Sequence, residues 1–261
     1  MNLSSIISFI EQLDNEMKIN KDSRIVYCVD YGRRALTNAA FLLGSYMILK
    51  LGMSSQNVSD CFDWLDEDCY EGFRDATFCP HPFRLTLDDC WLGLERGKEL
   101  GWVEASSDGE TWGAVNIHEY RHYDDPCNGD FHEVVPGKFI AFKGPVDLGG
   151  ATHRDDGASG ARLLSPAAYA DIFAEDFRVT AVVRLNEARY DASAFERRGL
   201  QHHHLPFEDC TRPPAAVVDA FLRVADAAIA ASPTPPSRRA GRWRCTARRG
   251  WGGRGRSSRC T

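Results

Sequence analysis

The chain has 261 residues, 43% of them hydrophobic and 26% charged, which are the values of a folded globular chain and exclude a disordered one. Its formal charge of −6 averages two unlike parts, because Arg238 to Thr261 holds nine Arg, five Gly and no acidic residue. Without those nine Arg, 22 basic residues face 37 acidic ones; the body stands near −15, which argues against a nucleic-acid scaffold and suits a basic protein partner.

Leu3 to Leu13 carries apolar residues at helical spacing, with Asn2 placed to cap the helix. Arg24 to Cys28 is a short β-rich run, and Thr37 to Leu51 reads as a buried helix. Between them lies a tight polar loop, Val29 to Arg34; strand, loop and helix in that order present backbone N–H groups to an anion. Leu85 to Leu100 is a further helix, with Gly101 just past its end. This alternation predicts a small α/β layer. Residues 106–129 form a polar connector with a short helix over Val115 to Tyr123, and Glu119, Asp124, Asp125 and Asp130 gather negative charge there. A charge run of this kind is a solvated linker or an acidic groove for a basic peptide.

The second half has a different rhythm. Phe131 to Pro145 is two strands around a Pro136-Gly137 turn, and Gly149 to Gly160 is a loop. Ser165 caps a helix over Pro166 to Asp176, with proline at its first position. Val179 to Leu185 is a strand buried on both faces, Asp191 to Arg198 a helix closed by Gly199, and Leu200 to Phe207 the next strand. After the loop from Glu208 to Pro214 comes a long helix, Ala215 to Ala231. The order predicts a parallel sheet with function at the carboxyl ends of its strands. One more strand and a functional loop are expected next, where the chain has instead Ser232 to Pro236 and the Arg/Gly tail.

Candidate chemistry is sparse. Cys28 and Arg34 have the spacing of a cysteine-phosphatase loop, but Asp30 inside it repels phosphate and Ala35 stands where a hydroxyl is wanted, which favours a degenerate, non-catalytic loop. On a strand only two of His202, His203 and His204 share a face, too few ligands for zinc, so no metal site is read. Cys210 reads as an ordinary loop thiol, and Lys138 and Lys143 as strand-edge solubility residues. The nine Cys are scattered without a CxxC pair or a secretory leader, as in reduced cytosolic or nuclear proteins. No apolar run is long enough to cross a membrane.

Asn38 to Tyr46, Phe73 to Ala76, Val135 to Phe139, Val182 to Asn186 and the loop around Asp209 resemble, in order, motifs of the two-domain dual-specificity phosphatases of mitotic exit, the cell-division-cycle-fourteen type. The resemblance runs from about residue 20 to about residue 231. It implies an α/β fold of two tandem dual-specificity-phosphatase-like domains, the first degenerate (1–105), an acidic linker (106–130), an incomplete catalytic domain (131–231) and a disordered Arg/Gly-rich tail (232–261). It implies Asp209 as general acid and Glu119, Asp124 and Asp130 as groove carboxylates that select phosphoserine followed by proline and basic residues. Arg121 stands where the family tends to have another carboxylate. No cofactor is implied. The expected partners are phosphoproteins, with no membrane and no nucleic acid. The expected location is nucleus and cytoplasm, with the centrosome or basal body a further site.

The family's nucleophile loop, His-Cys followed by five residues and Arg, is absent from the printed letters. Shifted by two bases, however, the codons of Trp243 to Arg259 permit every residue of that loop; Trp251 followed by Gly252 must give its glycine, because tryptophan has one codon. The expectation is a reading frame that slipped between about Ala231 and Gly241, and a chain inactive as printed. Two other readings stand beside it: an RNA-binding tail, with Arg, Gly, Trp243 and Trp251 supplying phosphate contacts and stacking, and a pseudophosphatase that binds partners through its first domain.

Overall fold

Asn2 opens the first helix by accepting the Ser5 N–H on its side chain at 3.0 Å, and α1 (Leu3–Ile19) follows. The computed structural model describes residues 1–66, 68–74, 84–105, 111–157, 160–208 and 211–231. Three more helices share a core with α1: α2 (Arg33–Leu49) packs against α1, and α3 (Ser55–Cys61) and α4 (Leu87–Glu99) then pack against α2. The start of α4 is set by a capping box, with Thr86 Oγ1 taking the Asp89 N–H at 3.1 Å and the Asp89 carboxylate taking the Thr86 N–H at 2.9 Å.

Ile6, Ile7 and Ile10 of α1, Phe41 and Ile48 of α2, Val58 of α3 and Trp91 of α4 make one buried cluster. The Trp91 indole lies against Gly44 of α2, and its N–H donates to the Phe41 carbonyl at 3.3 Å. Each such side chain contributes roughly 1.5–3 kcal/mol on burial. The hairpin β1 (Thr111–Trp112) and β2 (Val115–Asn116) and the start of α5 (Ile117–Asp124) add Trp112 and Ile117 to the same cluster. The stretch read as a solvated connector therefore has a buried edge.

Residues 24–28 do not form the predicted strand. They run extended from the end of α1 toward α2 with Ile25, Val26 and Tyr27 on the surface, and Tyr27 rests its ring on Phe9 at 5.2 Å. A strand needs a partner for its backbone groups, and none of the described residues supplies one. The predicted α/β layer of the first half is thus helical among the described residues, apart from the β1–β2 hairpin and two isolated bridges, Phe73 with Leu85 and Ala105 with Trp112.

The second cluster holds the rest of the sheet structure. Strands β3 (Phe131–Val135) and β4 (Phe139–Phe142) pair antiparallel around the predicted turn, where Gly137 takes φ +71°, with a register shift between Glu133 and Val135. The predicted 149–160 loop contains β5 (His153–Asp155), which pairs with β6 (Arg162–Leu164). Ser165 caps α6 (Pro166–Glu175), taking the Ala168 N–H at 3.2 Å with proline in the first turn. Then β7 (Ala181–Arg184), α7 (Ser193–Glu196) and β8 (Gln201–His204) form the predicted parallel crossover. Of β7 only Val182 is fully buried, because among the described residues its sheet has two strands rather than the several that would cover both faces.

Phe131, Tyr169, Phe173, Val182, Phe195 and Leu200 form the second core. The Tyr169 hydroxyl anchors it to the Gly129 carbonyl at 2.6 Å. The last helix, α8 (Ala215–Ala231), coincides with the predicted span; it sets Phe221 on Phe139 at 5.6 Å and leaves Val218, Leu222 and Ile229 exposed. The described residues form a mixed assembly of helices and small two-stranded sheets, α/β in the broad sense. The Arg/Gly tail, for which disorder is predicted, lies outside the described residues. No helix among the described residues is long and apolar enough to cross a membrane.

A methyl group on Gly44 would overlap the Trp91 indole. Gly44→Ala should therefore lower the urea midpoint, with an overpacking cost of about 1–3 kcal/mol exceeding the helix-propensity gain of about 1 kcal/mol. A midpoint equal to or above the parent's would contradict this packing.

Candidate functional site

Helix α5 is where the two clusters meet. Asn116 caps it, its side-chain oxygen taking the His118 N–H at 3.0 Å and the Glu119 N–H at 3.1 Å. Ile117 lies in the first core, whereas Tyr123 stacks on Phe131 of the second at 4.4 Å and donates its hydroxyl proton to Asp176 at 2.9 Å. Between these anchors opens a shallow cleft lined by Val115, Glu119, Tyr120, His132, Glu133 and Phe177.

The cleft is acidic and partly dry. Burial, then the charges of Glu133 and Asp176, raise the pKa of Glu119 above the usual carboxylate range. Glu133 is raised by burial as well, opposed by the Gly137 N–H donated to its Oε1 at 2.5 Å. Tyr120 packs its ring on His132 at 5.8 Å, and burial followed by the Asp124 charge pushes its phenol up to about 12. Carboxylates held at such cost in a cleft are candidates for contact with a cation.

The three predicted groove carboxylates have different surroundings. Glu119 lines the cleft. Asp124 reaches it through His132, whose Nδ1 lies 3.5 Å from Asp124 Oδ1, and takes an Asn2 amide proton at 2.6 Å. Asp130, in a left-handed conformation at φ +53°, turns instead to Lys143 at 3.4 Å. Lys143, read as a strand-edge residue, thus has a specific partner. Sequence reasoning missed Glu133 and His132. Their signal was the alternation in Phe-His-Glu-Val-Val: Glu133, two residues from Phe131 and in regular register with it, lies with Phe131 on the cleft.

The other candidates are scattered. Cys28 is exposed in the extended segment, and Arg34 in the first turns of α2 is exposed and faces Glu71 at 4.0 Å. The loop between them starts from no strand, as the degenerate reading of it allows. At the carboxyl ends of β7 and β8, Arg184 donates to His204 at 3.0 Å and to the Tyr190 carbonyl at 2.9 Å. The Tyr190 hydroxyl meets His202 at 3.0 Å. The His run is thereby tied into the sheet's own side chains, and burial, then Arg184, lowers the pKa of His202. Asp209 and Cys210 lie outside the described residues. Beside them, Leu205 and Phe207 return their N–H groups to the carbonyls of Arg184 and Leu185 at 2.9 and 3.1 Å, so the loop starts from the end of the parallel pair.

Known proteins resemble this sequence over most of its length. The family model for the N-terminal half of dual specificity protein phosphatases matches residues 1–97. The human dual specificity protein phosphatase CDC14A is 33% identical over 228 residues, which cover 87% of this chain and 36% of that protein. The Caenorhabditis elegans tyrosine-protein phosphatase cdc-14 is 30% identical over 232 residues, 86% of this chain and 31% of its own length. The Schizosaccharomyces pombe tyrosine-protein phosphatase CDC14 homolog is 30% identical over 227 residues, 85% of this chain and 40% of its own. The chain spans less than half the length of these relatives. The likeness places it in the dual-specificity protein phosphatase class. Within that class, the chain belongs to the CDC14-type family.

The raised Glu119 carboxyl has a consequence for stability. A group whose folded pKa lies above its unfolded one contributes stability that is present below the ordinary carboxylate range and is lost as pH rises through the raised value. Glu119→Gln should therefore raise the urea midpoint at neutral pH and leave it close to the parent's in acid. An equal shift at both would contradict the raised carboxyl.

Proposed function

We propose that this chain is the substrate-recognising body of a CDC14-type protein phosphatase whose nucleophile loop has been lost from the printed sequence by a slipped frame. The observation that carries the proposal is the likeness to CDC14-type phosphatases across 228 residues of a chain whose last stretch, after α8, has an Arg/Gly composition unlike the rest. In this reading the two apolar clusters are the cores of tandem phosphatase-like domains, the second incomplete. The acidic cleft at α5 receives the basic residues of a phosphoserine-proline peptide, Glu119 and Glu133 supplying the charge and Asp124 setting the edge through His132.

Asp209 is the general acid. It protonates the leaving seryl or tyrosyl oxygen as a thiolate attacks phosphorus: the sulfur–phosphorus bond forms, the phosphorus–oxygen bond breaks, and water later hydrolyses the cysteinyl phosphate. That thiolate depends on backbone N–H groups at a helix N-terminus and on an Arg for its low pKa. Cys28 lacks that setting, since it sits in an exposed extended segment before α2. The protein's role is in cell division, in nucleus and cytoplasm and at the centrosome or basal body.

Hydrolysis of an aryl phosphate tests the proposal. The printed chain should show no turnover above buffer, and so should Cys28→Ser. A chain carrying the alternative frame from Trp243 onward should turn over, and Asp209→Ala in that chain should slow it by about 10²–10⁴-fold. Turnover by the printed chain that disappears in Cys28→Ser would overturn the proposal and move the chemistry to the first domain.

A further inference from the structure

Arg121 interrupts the acidic face of α5, yet its charge does not enter the cleft. Its Nε donates to Ser4 Oγ at 3.2 Å, and one terminal nitrogen donates to Ser8 Oγ at 2.8 Å and to Glu11 Oε2 at 3.2 Å. Ser4, Ser8 and Glu11 are spaced four and three residues apart and so share one face of α1. Residues two apart on a helix do not face the same way, so Arg121 and Glu119 stand on opposite sides of α5.

The same two helices meet at two further points. Asn2 caps α1 with its oxygen and donates its amide proton to Asp124 at 2.6 Å, joining the start of one helix to the end of the other. The Leu3 N–H, which has no partner inside its helix, faces the Tyr120 hydroxyl. Three successive contacts from Asn2 to Glu11 thus hold α5 at Tyr120, Arg121 and Asp124, with Arg121 turned away from the cleft. The inner side carries Glu119 toward Glu133 and His132 of β3 and Asp176 after α6.

We propose that the amino-terminal end of α1 is a clamp that fixes the rotation of α5, with Arg121 as the positioning residue that keeps Glu119 turned into the cleft. Its bearing on recognition rests on reading the cleft as the site for basic peptides. The residue that replaces a carboxylate of the family's groove does not neutralise the groove, because Glu11, Ser4 and Ser8 take up its guanidinium. It holds in place the helix that presents the remaining carboxylates.

The test uses the full chain and two readouts: titration of the Glu119 carboxyl by NMR, and the Kd of a phosphoserine-proline peptide with Lys and Arg after the proline. In Arg121→Gln, α5 rolls outward and Glu119 is hydrated, so its raised pKa falls toward the ordinary carboxylate value and peptide binding weakens about threefold. Arg121→Lys restores part of both, since an ammonium reaches Glu11 but cannot span three acceptors. A merely structural loss would lower the melting temperature and leave the Glu119 titration in place. Should Arg121→Gln fail to fold, the Ser4→Ala, Ser8→Ala double variant probes the same clamp from α1. An unmoved Glu119 titration in the folded variants overturns the clamp whatever the peptide does. A moved titration with no peptide binding by the parent upholds the clamp and overturns the peptide reading.

Discussion

Helix α5 is the constraint on which the rest depends, because it belongs to both cores. Ile117 at its start is buried with the helices of the first half, and Tyr123 near its end stacks on Phe131 of the second. Eight residues therefore set how the two halves approach each other, and the cleft exists only where they do. The same placement explains the site's electrostatics. A carboxylate on α5 cannot face the junction without losing water, and Glu119 accepts that loss with Glu133 and Asp176 close enough to add repulsion. No Lys or Arg is among the cleft-lining residues; Lys143 is engaged by Asp130 and Arg121 by α1. An unneutralised acidic cleft draws basic ligands toward it and sets their register.

Much of this architecture was legible in the sequence, and the legible parts share a cause. Helices whose ends are set by local chemistry were read within a few residues: Asn2, Thr86 and Ser165 each accept a backbone N–H three residues on. The Pro136-Gly137 turn and the α8 span followed from turn residues and from unbroken alanine-rich periodicity. The parallel pairing of Val182 with His202 followed from strand, helix and strand in close succession. The errors lie where structure depends on distant partners. Ile25 to Cys28 has strand composition, but composition cannot supply a neighbouring strand. Trp112 and Ile117 sit in a polar stretch whose average hides two core residues. Glu133 is a cleft residue only because β3 packs beside α5, a partner its own strand does not announce.

The candidate site was legible in proportion to how local it is. Glu119, Asp124 and Asp130 were chosen for charge, yet charge alone did not reveal that Asp130 is engaged by Lys143, or that Asp124 is shared between Asn2 and His132. The destination of Arg121 could not be inferred, since its acceptors lie more than a hundred residues away on α1. What the described residues display is an acidic cleft, a parallel crossover, and a final helix with Val218, Leu222 and Ile229 on its surface. An apolar stripe of that kind is what a helix offers to a following strand of its own sheet.

The account therefore stands or falls on what the gene encodes after α8. The measurement is the nucleotide sequence of the transcript across codons 231 to 259, read in all three frames. The account predicts that the frame joining the third base of each tail codon to the next two spells His-Cys, five residues and Arg, with the cysteine across codons 246 and 247. An alternative frame without a cysteine and an arginine at that spacing would contradict it, and would leave the Arg/Gly tail as a genuine part of the protein.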